Sequence, residues 1–332
     1  MQNSRRSFLA SGAALAAAGL AGCAQFQSAL RPVGVPPASS PLMPAVSRPA
    51  PGVARMTMGG VTLTALSDGE AARPLADGFV RDVPLAQVQG ALRDAGLPTE
   101  TLTIPFTTFV VEANGRRILM DTGNGQFGAP TSGRALASMA AAGIDPASID
   151  TVAITHFHGD HINGLRDREG KPVYTKAKVL VPKPEWDFWM DDARMGAAPE
   201  AMRGAFQGAR RVFASGTAMD VDRFDPGASL AGGLESMPAY GHTPGHTAFS
   251  LRVGNRRIVY WGDLTNIAAL FVRNPDWAVQ FDMDPNAART VRRAMMERAV
   301  TEDWIVAGYH LPFPAFGRIV RRGGGYDFQP LA

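Results

Sequence analysis

The sequence predicts an α/β domain, and three observations carry that expectation. Strand-like and helix-like segments alternate from Arg55 onward with Gly and Pro punctuation; two hairpins of similar sequence lie far apart in the chain; and all six histidines fall in short groups beside strand-like segments. At 332 residues, 45% hydrophobic and 19% charged, the chain can bury a large core, which excludes a disordered segment or a mini-protein. Nothing in the composition from Arg55 to Leu331 marks an internal boundary, so residues 55–332 read as one domain.

The elements justify themselves in order. The chain starts with Ser4-Arg5-Arg6-Ser7-Phe8-Leu9, continues through an apolar, small-residue stretch to Leu20, and reaches Leu20-Ala21-Gly22-Cys23. A positive start with a short apolar core is an export signal, here residues 1–22. The paired arginines resemble the twin-arginine signal of bacteria, and Leu-Ala-Gly-Cys resembles a lipoprotein processing site with Cys23 as the acylated residue. The expected location is the periplasm, free or held to the membrane through Cys23. Seven prolines between Arg31 and Pro51, with few large apolar residues, make residues 23–54 a tether. Beyond it, Thr108 to Gly123 reads as a hairpin turning at Asn114-Gly115, and Ala248 to Asp263 as another turning at Gly254-Asn255. Each has Arg-Arg-Ile after the turn and Asp at its exit, the pattern of two halves related by duplication. Between them come a helix from Arg134 to Ala142, strands Thr151 to Thr155 and Ala177 to Val181, and helices Pro184 to Arg194 and Pro199 to Val212. Asp284-Pro285 then caps a helix to about Thr301, followed by the strand Trp304 to Ala307.

Charge and cysteine content exclude several functions. The 33 basic residues barely exceed the 30 acidic ones, two of the basic ones lie in the leader, and only four are Lys, so no field steers nucleic acid onto the chain. No apolar run reaches the roughly 18 to 20 residues that a membrane-spanning helix needs. Cys23 is the only cysteine, so any metal must be held by His and carboxylate.

The chemistry sits in the histidines. His156, His158 and His161 lie in Thr155-His-Phe-His-Gly-Asp-His161, His242 and His246 in Gly241-His-Thr-Pro-Gly-His246, and His310 in Gly308-Tyr-His310. A turn directly after a strand can aim His156 and His158 at one point and the Asp160-His161 pair at a second, which makes a two-metal site. Imidazole and carboxylate without sulfur suit Zn²⁺, with Mn²⁺, Co²⁺ or Fe²⁺ compatible by ligand type. Ligand groups recur after Thr151 to Thr155, near the end of Leu234 to Tyr240, after Ile258 to Trp261, and after Trp304 to Ala307; if these strands are neighbours, the ligands meet on one edge.

The set His156, His158, Asp160, His161, His246, Asp263 and His310 resembles the ligand complement of the metallo-β-lactamase-fold hydrolases. The resemblance covers nearly the whole chain from Arg55 and implies a four-layer αβ/βα sandwich. It also implies a dinuclear site, with His156, His158 and His246 on one metal, Asp160, His161 and His310 on the other, and Asp263 bridging. Two such ions lower the pKa of a shared water and polarise a substrate oxygen, with Asp160 placed to orient the attacking oxygen. Asp121 and Thr122 are the expected partners that fix imidazole tautomers, and His242 is expected to support or pack beside the ligands. Within the fold the chain is most similar to the methyl parathion hydrolase branch, through Ala65-Leu-Ser-Asp-Gly69, Asp121-Thr-Gly123 with Phe127-Gly128, Asp187-Phe-Trp189 and His310-Leu-Pro-Phe-Pro314. That likeness places Phe127, Trp189 and Phe206 in the substrate pocket. Asn266, the third residue after Asp263, departs both from the tyrosine of similar acyl-homoserine lactonases and from the leucine of the parathion hydrolase branch. An amide can donate to a developing oxyanion, which suits a lactone or carboxylic ester, and the apolar role of the leucine is lost, which ranks a phosphotriester behind them. The expected protein is therefore an exported dinuclear hydrolase of a small-molecule ester-type bond. An iron-dependent oxidoreductase on the same ligands and a non-catalytic metal-stabilised lipoprotein are the alternatives.

Overall fold

The computed structural model describes Leu42–Ala332; the leader, Cys23 and the first part of the tether lie outside the described residues. Two sheets form the centre. The first has eight strands in the order Ala45–Ala50, Val53–Met58, Val61–Pro74, Thr101–Ala113, Arg116–Met120, Thr151–Ala153, Lys178–Pro182 and Val221–Phe224. The second has six, in the order Leu234–Pro238, Thr247–Val253, Arg256–Tyr260, Ile305–Ala307, Phe316–Arg322 and Gly325–Pro330.

Side-chain alternation explains how the layers stack. Phe109, Val111, Ile118 and Met120 of the first sheet pack with Phe249, Leu251, Ile258 and Tyr260 of the second. Val110 and Leu119, one residue out of phase, point to the other face, against Met139 of the helix Ala135–Ala141 and Phe206, Ala209 and Val212 of the helix Glu200–Phe213. On the far side, Met295, Met296 and Ala299 of the helix Pro285–Thr301 pack on the second sheet. The order helix, sheet, sheet, helix is the four-layer αβ/βα sandwich. Both faces of the central strands are buried, which is why they are so rich in Val, Ile, Leu and Phe.

Both expected hairpins form at the expected turns. Asn114 (φ 51°) and Gly115 (φ 72°) are both left-handed, which gives a two-residue turn closing Ala113 onto Arg116. Gly254 (φ 60°) takes the first central position of the second turn. Each hairpin is followed by a strand parallel to its second arm, Thr151–Ala153 beside Arg116–Met120 and Ile305–Ala307 beside Arg256–Tyr260. The two halves thus occupy equivalent places in the two sheets.

Three expectations are corrected. The fold begins with the strand Ala45–Ala50, inside the segment assigned to the tether; Pro49 is tolerated because this is an edge strand, paired only with Val53–Met58. The helix expected over Pro184 to Arg194 is two short ones, Lys183–Trp189 and Asp192–Ala197, because Asp191 leaves the helix and caps the second through the Arg194 N–H. The ligand-bearing strands are not neighbours on one edge: Thr151–Ala153 belongs to the first sheet and the other three to the second, so the ligands meet across the rim between two packed sheets.

A third apolar cluster joins the excursion after the long strand Val61–Pro74 to the loop after Asp263. Phe79, Val88, Leu92 and Ile104 pack on Ile267, Leu270, Phe271 and Tyr309, and a small ribbon pairs Val80–Arg81 with Ala278–Val279. This wing walls one side of the site.

The edge strand contributes Val46 and Ala50 to the two main clusters. A chain beginning at Gly52 should therefore melt about 2 to 3 °C below one beginning at Leu42, as expected for a loss of roughly 1 to 2 kcal/mol in a domain of this size, which thermal denaturation followed by circular dichroism would check.

Candidate metal centre

The chain leaves the strand Thr151–Ala153 in extended conformation, so His156 and His158, two residues apart, point the same way and bring Nε2 and Nδ1 within 3.0 Å. A short helix, Gly159–Ile162, begins immediately and swings Asp160 and His161 toward a second point. Asp263 stands between. Its Oδ2 is 3.2 Å from His242 Nε2, 3.9 Å from His156 Nε2 and 3.1 Å from His310 Nε2, while its Oδ1 is 3.0 Å from His161 Nε2. Asp160 Oδ2 lies 3.6 Å from both His161 Nε2 and His310 Nε2.

Two ligand groups result, His156, His158, His242 and Asp263 in one and Asp160, His161 and His310 in the other, with Asp263 reaching both. The residues fit metal ions on two counts. Separations of 3.0 to 3.9 Å between ligand atoms bracket the edge of about 3.4 Å that a tetrahedron takes around an ion with bonds of roughly 2.0 to 2.1 Å. Asp263 Oδ1 and His161 Nε2 are buried and make no hydrogen bond, although they face each other at 3.0 Å. Two lone pairs so placed repel unless a cation lies between them.

The tautomers agree with this. Nδ1–H of His161 donates to Asp121 (2.7 Å), that of His242 to Asp282 (2.9 Å), and that of His310 to the Pro105 carbonyl (2.8 Å). His156 Nδ1 bonds Thr155 Oγ1 (3.0 Å), whose proton goes to Asp121. Each of these four rings therefore presents Nε2 to the centre. Burial, reinforced by neighbouring imidazoles, holds His156 and His158 well below the ordinary histidine value, so both keep a free lone pair. Burial acts the same way on His161, His242 and His310 but is outweighed by Asp263 together with Asp121, Asp282 and Asp160, which lifts all three, His242 to about 9. Burial would raise the Asp263 carboxyl, and His310 and His161 overcome it and hold it well below the carboxylate range. The carboxylates make a field that favours added positive charge, and protons and metal ions compete for it.

His246 is not in either group, and His242 takes the place expected for it. His246 Nδ1–H donates to the Ala239 carbonyl (2.9 Å) and its Nε2 accepts the Asp263 N–H (3.0 Å), so no lone pair remains for a metal. Burial lowers it to about 4, keeping it neutral. Its role is to seat the backbone of the bridging aspartate. Thr122 also differs from expectation: its N–H and Oγ1–H both bond the His161 carbonyl (2.8 Å each), so it holds the chain of that ligand and not its ring.

A cavity of about 780 Å³ opens over the cluster, with His158, Asp160, Asp263 and His310 on its floor. Trp189 and Asn266 line it. Phe127 does not; it is 40% exposed with the Arg211 guanidinium 3.6 Å from its ring, a surface cation–π stack. Phe206 is buried behind Trp189 (ring centroids 4.8 Å apart) and buttresses the wall without reaching the cavity.

Sequence reasoning misses three residues. Glu185 accepts N–H bonds from Phe157 (2.9 Å), Gly245 (2.7 Å) and Trp189 Nε1 (2.7 Å), tying both histidine loops to the cavity wall. Asp282 holds His242 and is itself held by the buried Arg292 (3.1 Å). No sequence motif marks them. Their only signal is a charged residue within an apolar stretch, as with Glu185 among Val181, Pro182, Pro184 and Trp186.

The chain matches the model of the metallo-beta-lactamase superfamily over residues 105–310. No curated protein matches it in sequence. Among solved structures it is similar to the hydrolase AbOPH of the beta lactamase superfamily, at 25% identity and a TM-score of 0.78 over 85% of this chain and 98% of that one. It shares its fold with AidC, a dizinc quorum-quenching lactonase, at 24% identity and a TM-score of 0.77 over the same shares. It also shares it with a probable metal-dependent hydrolase from Staphylococcus aureus, at 17% identity and a TM-score of 0.64 over 83% and 100% of the two chains. With the family model spanning from the strand Thr101–Ala113 to the last ligand, His310, the chain belongs to the metallo-β-lactamase superfamily.

Proposed function

We propose that this protein is a dinuclear metal-dependent hydrolase of an ester-type bond, with a lactone or carboxylic ester ahead of a phosphotriester as its substrate. The observation that carries the reading is Asp263, whose two oxygens face separate ligand groups on the floor of an open cavity. His156, His158, His242 and Asp263 would hold one ion and Asp160, His161, His310 and Asp263 the other; such a pair, when bound, supplies a hydroxide near neutral pH and polarises the substrate carbonyl. Asp160, the more exposed of the two carboxylates, is placed to orient the attacking oxygen and accept its proton. Asn266 is buried in the cavity wall, where its amide N–H can donate to a developing oxyanion, and a polar residue there in place of an apolar one supports an acyl over a phosphoryl centre. The apolar wall around Trp189 suits the acyl or alcohol part. The likeness to the methyl parathion hydrolase branch belongs to this proposal, with Asn266 as the departure that lowers the rank of phosphotriesters.

Zinc is the expected metal. Purified protein should carry about two equivalents by elemental analysis, His242→Ala about one, and Asp263→Ala less than one; wild type with under one equivalent would overturn the reading. Asp282→Ala should weaken zinc binding roughly 10- to 100-fold by freeing the His242 ring. Chelation should lower the melting temperature, since loss of a ligand held at about 1,000 times its dissociation constant removes roughly 4 kcal/mol. In the zinc-loaded protein, 4-nitrophenyl esters and acyl lactones should turn over faster than methyl paraoxon. Two equivalents of iron with redox turnover would favour the oxidoreductase alternative, and full metal loading with no turnover the structural one. Export by the twin-arginine route, with lipid attachment at Cys23, rests on the leader motifs; replacing Arg5-Arg6 by Lys-Lys should retain the chain in the cytoplasmic fraction, and unchanged fractionation would refute that route.

A further inference from the structure

We propose that the cavity takes an ester or lactone whose variable end carries a carboxylate, held at the mouth by Arg73 and Arg81. The inference rests on the hydrolase reading and names the substrate class of that site.

Both arginines line the cavity whose floor is the ligand cluster. Both are exposed while the ligands His156, His161 and His310 are buried, so the guanidinium groups stand at the opening and the ligands at the bottom. Among the described residues neither has an ion-pair partner, whereas arginines of the adjoining elements do: Arg289 with Asp82, Arg292 with Asp282 and Arg293 with Asp276. The two are nevertheless held in place. The Arg73 guanidinium lies 5.9 Å from the ring centre of Phe79 and 5.5 Å from that of Phe281, and Arg81 Nη2 donates to the Gln280 carbonyl at 2.7 Å. Between mouth and floor the wall is apolar, with Ile104, Phe106, Met202 and Met283. A ligand that matches this wall from bottom to top has a reacting carbonyl, a short apolar span and an anion at its far end. A planar carboxylate suits guanidinium groups whose orientation is already set.

The test compares 4-nitrophenyl hexanoate with the mono-4-nitrophenyl ester of adipic acid, which has the same length and ends in a carboxylate, on the zinc-loaded full chain. A second arm measures binding of hexananilide and adipic acid monoanilide by calorimetry, which needs no turnover. Wild type should prefer the anionic member of each pair by about tenfold, the modest gain expected of two partly exposed charge contacts. The double variant Arg73→Gln, Arg81→Gln should bring both ratios close to one, with each single variant between, at unchanged zinc content and melting temperature. Equal treatment of the two esters and of the two anilides by wild type would overturn the proposal. So would a preference that survives in the double variant, because the carboxylate would then sit on the metal pair. An arginine-dependent anilide preference without turnover of either ester would refute the hydrolase reading and leave the anion-holding mouth standing.

Discussion

One buried carboxylate organises the centre. Asp263 is only 6% exposed and is surrounded by the imidazoles of His156, His161, His242 and His310, a position too costly for a lone anion and stable only with positive charge on both sides. The backbone makes the position possible. Gly262 adopts φ 52°, and a Cβ there would lie 2.8 Å from His246 Nε2 and 3.0 Å from Thr155 Cγ2, so only glycine lets the chain pass this close beneath the cluster. The Asp263 N–H then falls to His246, which converts a second-sheet histidine into the seat of the shared ligand.

Asp121 plays the matching part from the first sheet. It also sits at positive φ (52°) and accepts from the Thr155 N–H (2.8 Å), the Thr155 hydroxyl (2.8 Å), the His161 ring (2.7 Å) and the Tyr260 hydroxyl (2.6 Å). Tyr260 comes from the opposite sheet, so one carboxylate orients two ligand rings, His161 directly and His156 through Thr155, while joining the two halves of the sandwich. The strain of the left-handed conformation is offset by four bonds that the same conformation aims at one side chain. Rigid sheets thus position ligands whose own loops carry little structure.

The hairpins, the capped helix at Asp284 and four of the six histidine assignments were legible because each follows from short-range rules: turn residues, helix caps, and ligands placed just after strands. That last rule also holds the answer for Gly241-His-Thr-Pro-Gly-His246. His242 follows the strand Leu234–Pro238 into a loop, whereas His246 directly precedes the strand Thr247–Val253, where its ring is committed to backbone groups. Asp282 and Glu185 were not legible, because what defines them is a contact with a residue 40 or 28 positions away, and local patterns carry no information about such pairs. Phe127 and Phe206 failed for a related reason: an aromatic residue reads alike in sequence whether it lines a cavity, backs its wall or stacks under an arginine. The strand Ala45–Ala50 was hidden by its prolines, which exclude central strands but not edges.

The placement of Asp282 ties recognition to chemistry. It ends the segment that runs from the ribbon strand Ala278–Val279 through Gln280 and Phe281, which line the mouth, and its Oδ2 also accepts the Val279 N–H (3.2 Å). Arg292 bonds the same carboxylate and the carbonyls of Leu264, Pro275 and Trp277, so one buried guanidinium pins both the ribbon and the loop that follows Asp263. A buried arginine with this many acceptors is held charged by them even though burial alone lowers its pKa. A displacement of the mouth at Phe281 must therefore pass through Asp282 to the ring of His242. In this arrangement Gln280 and Phe281, which line the mouth and hold Arg81 and Arg73, are two and one positions from the residue that orients His242, so the cavity wall cannot be remodelled there without also retuning the centre beneath it.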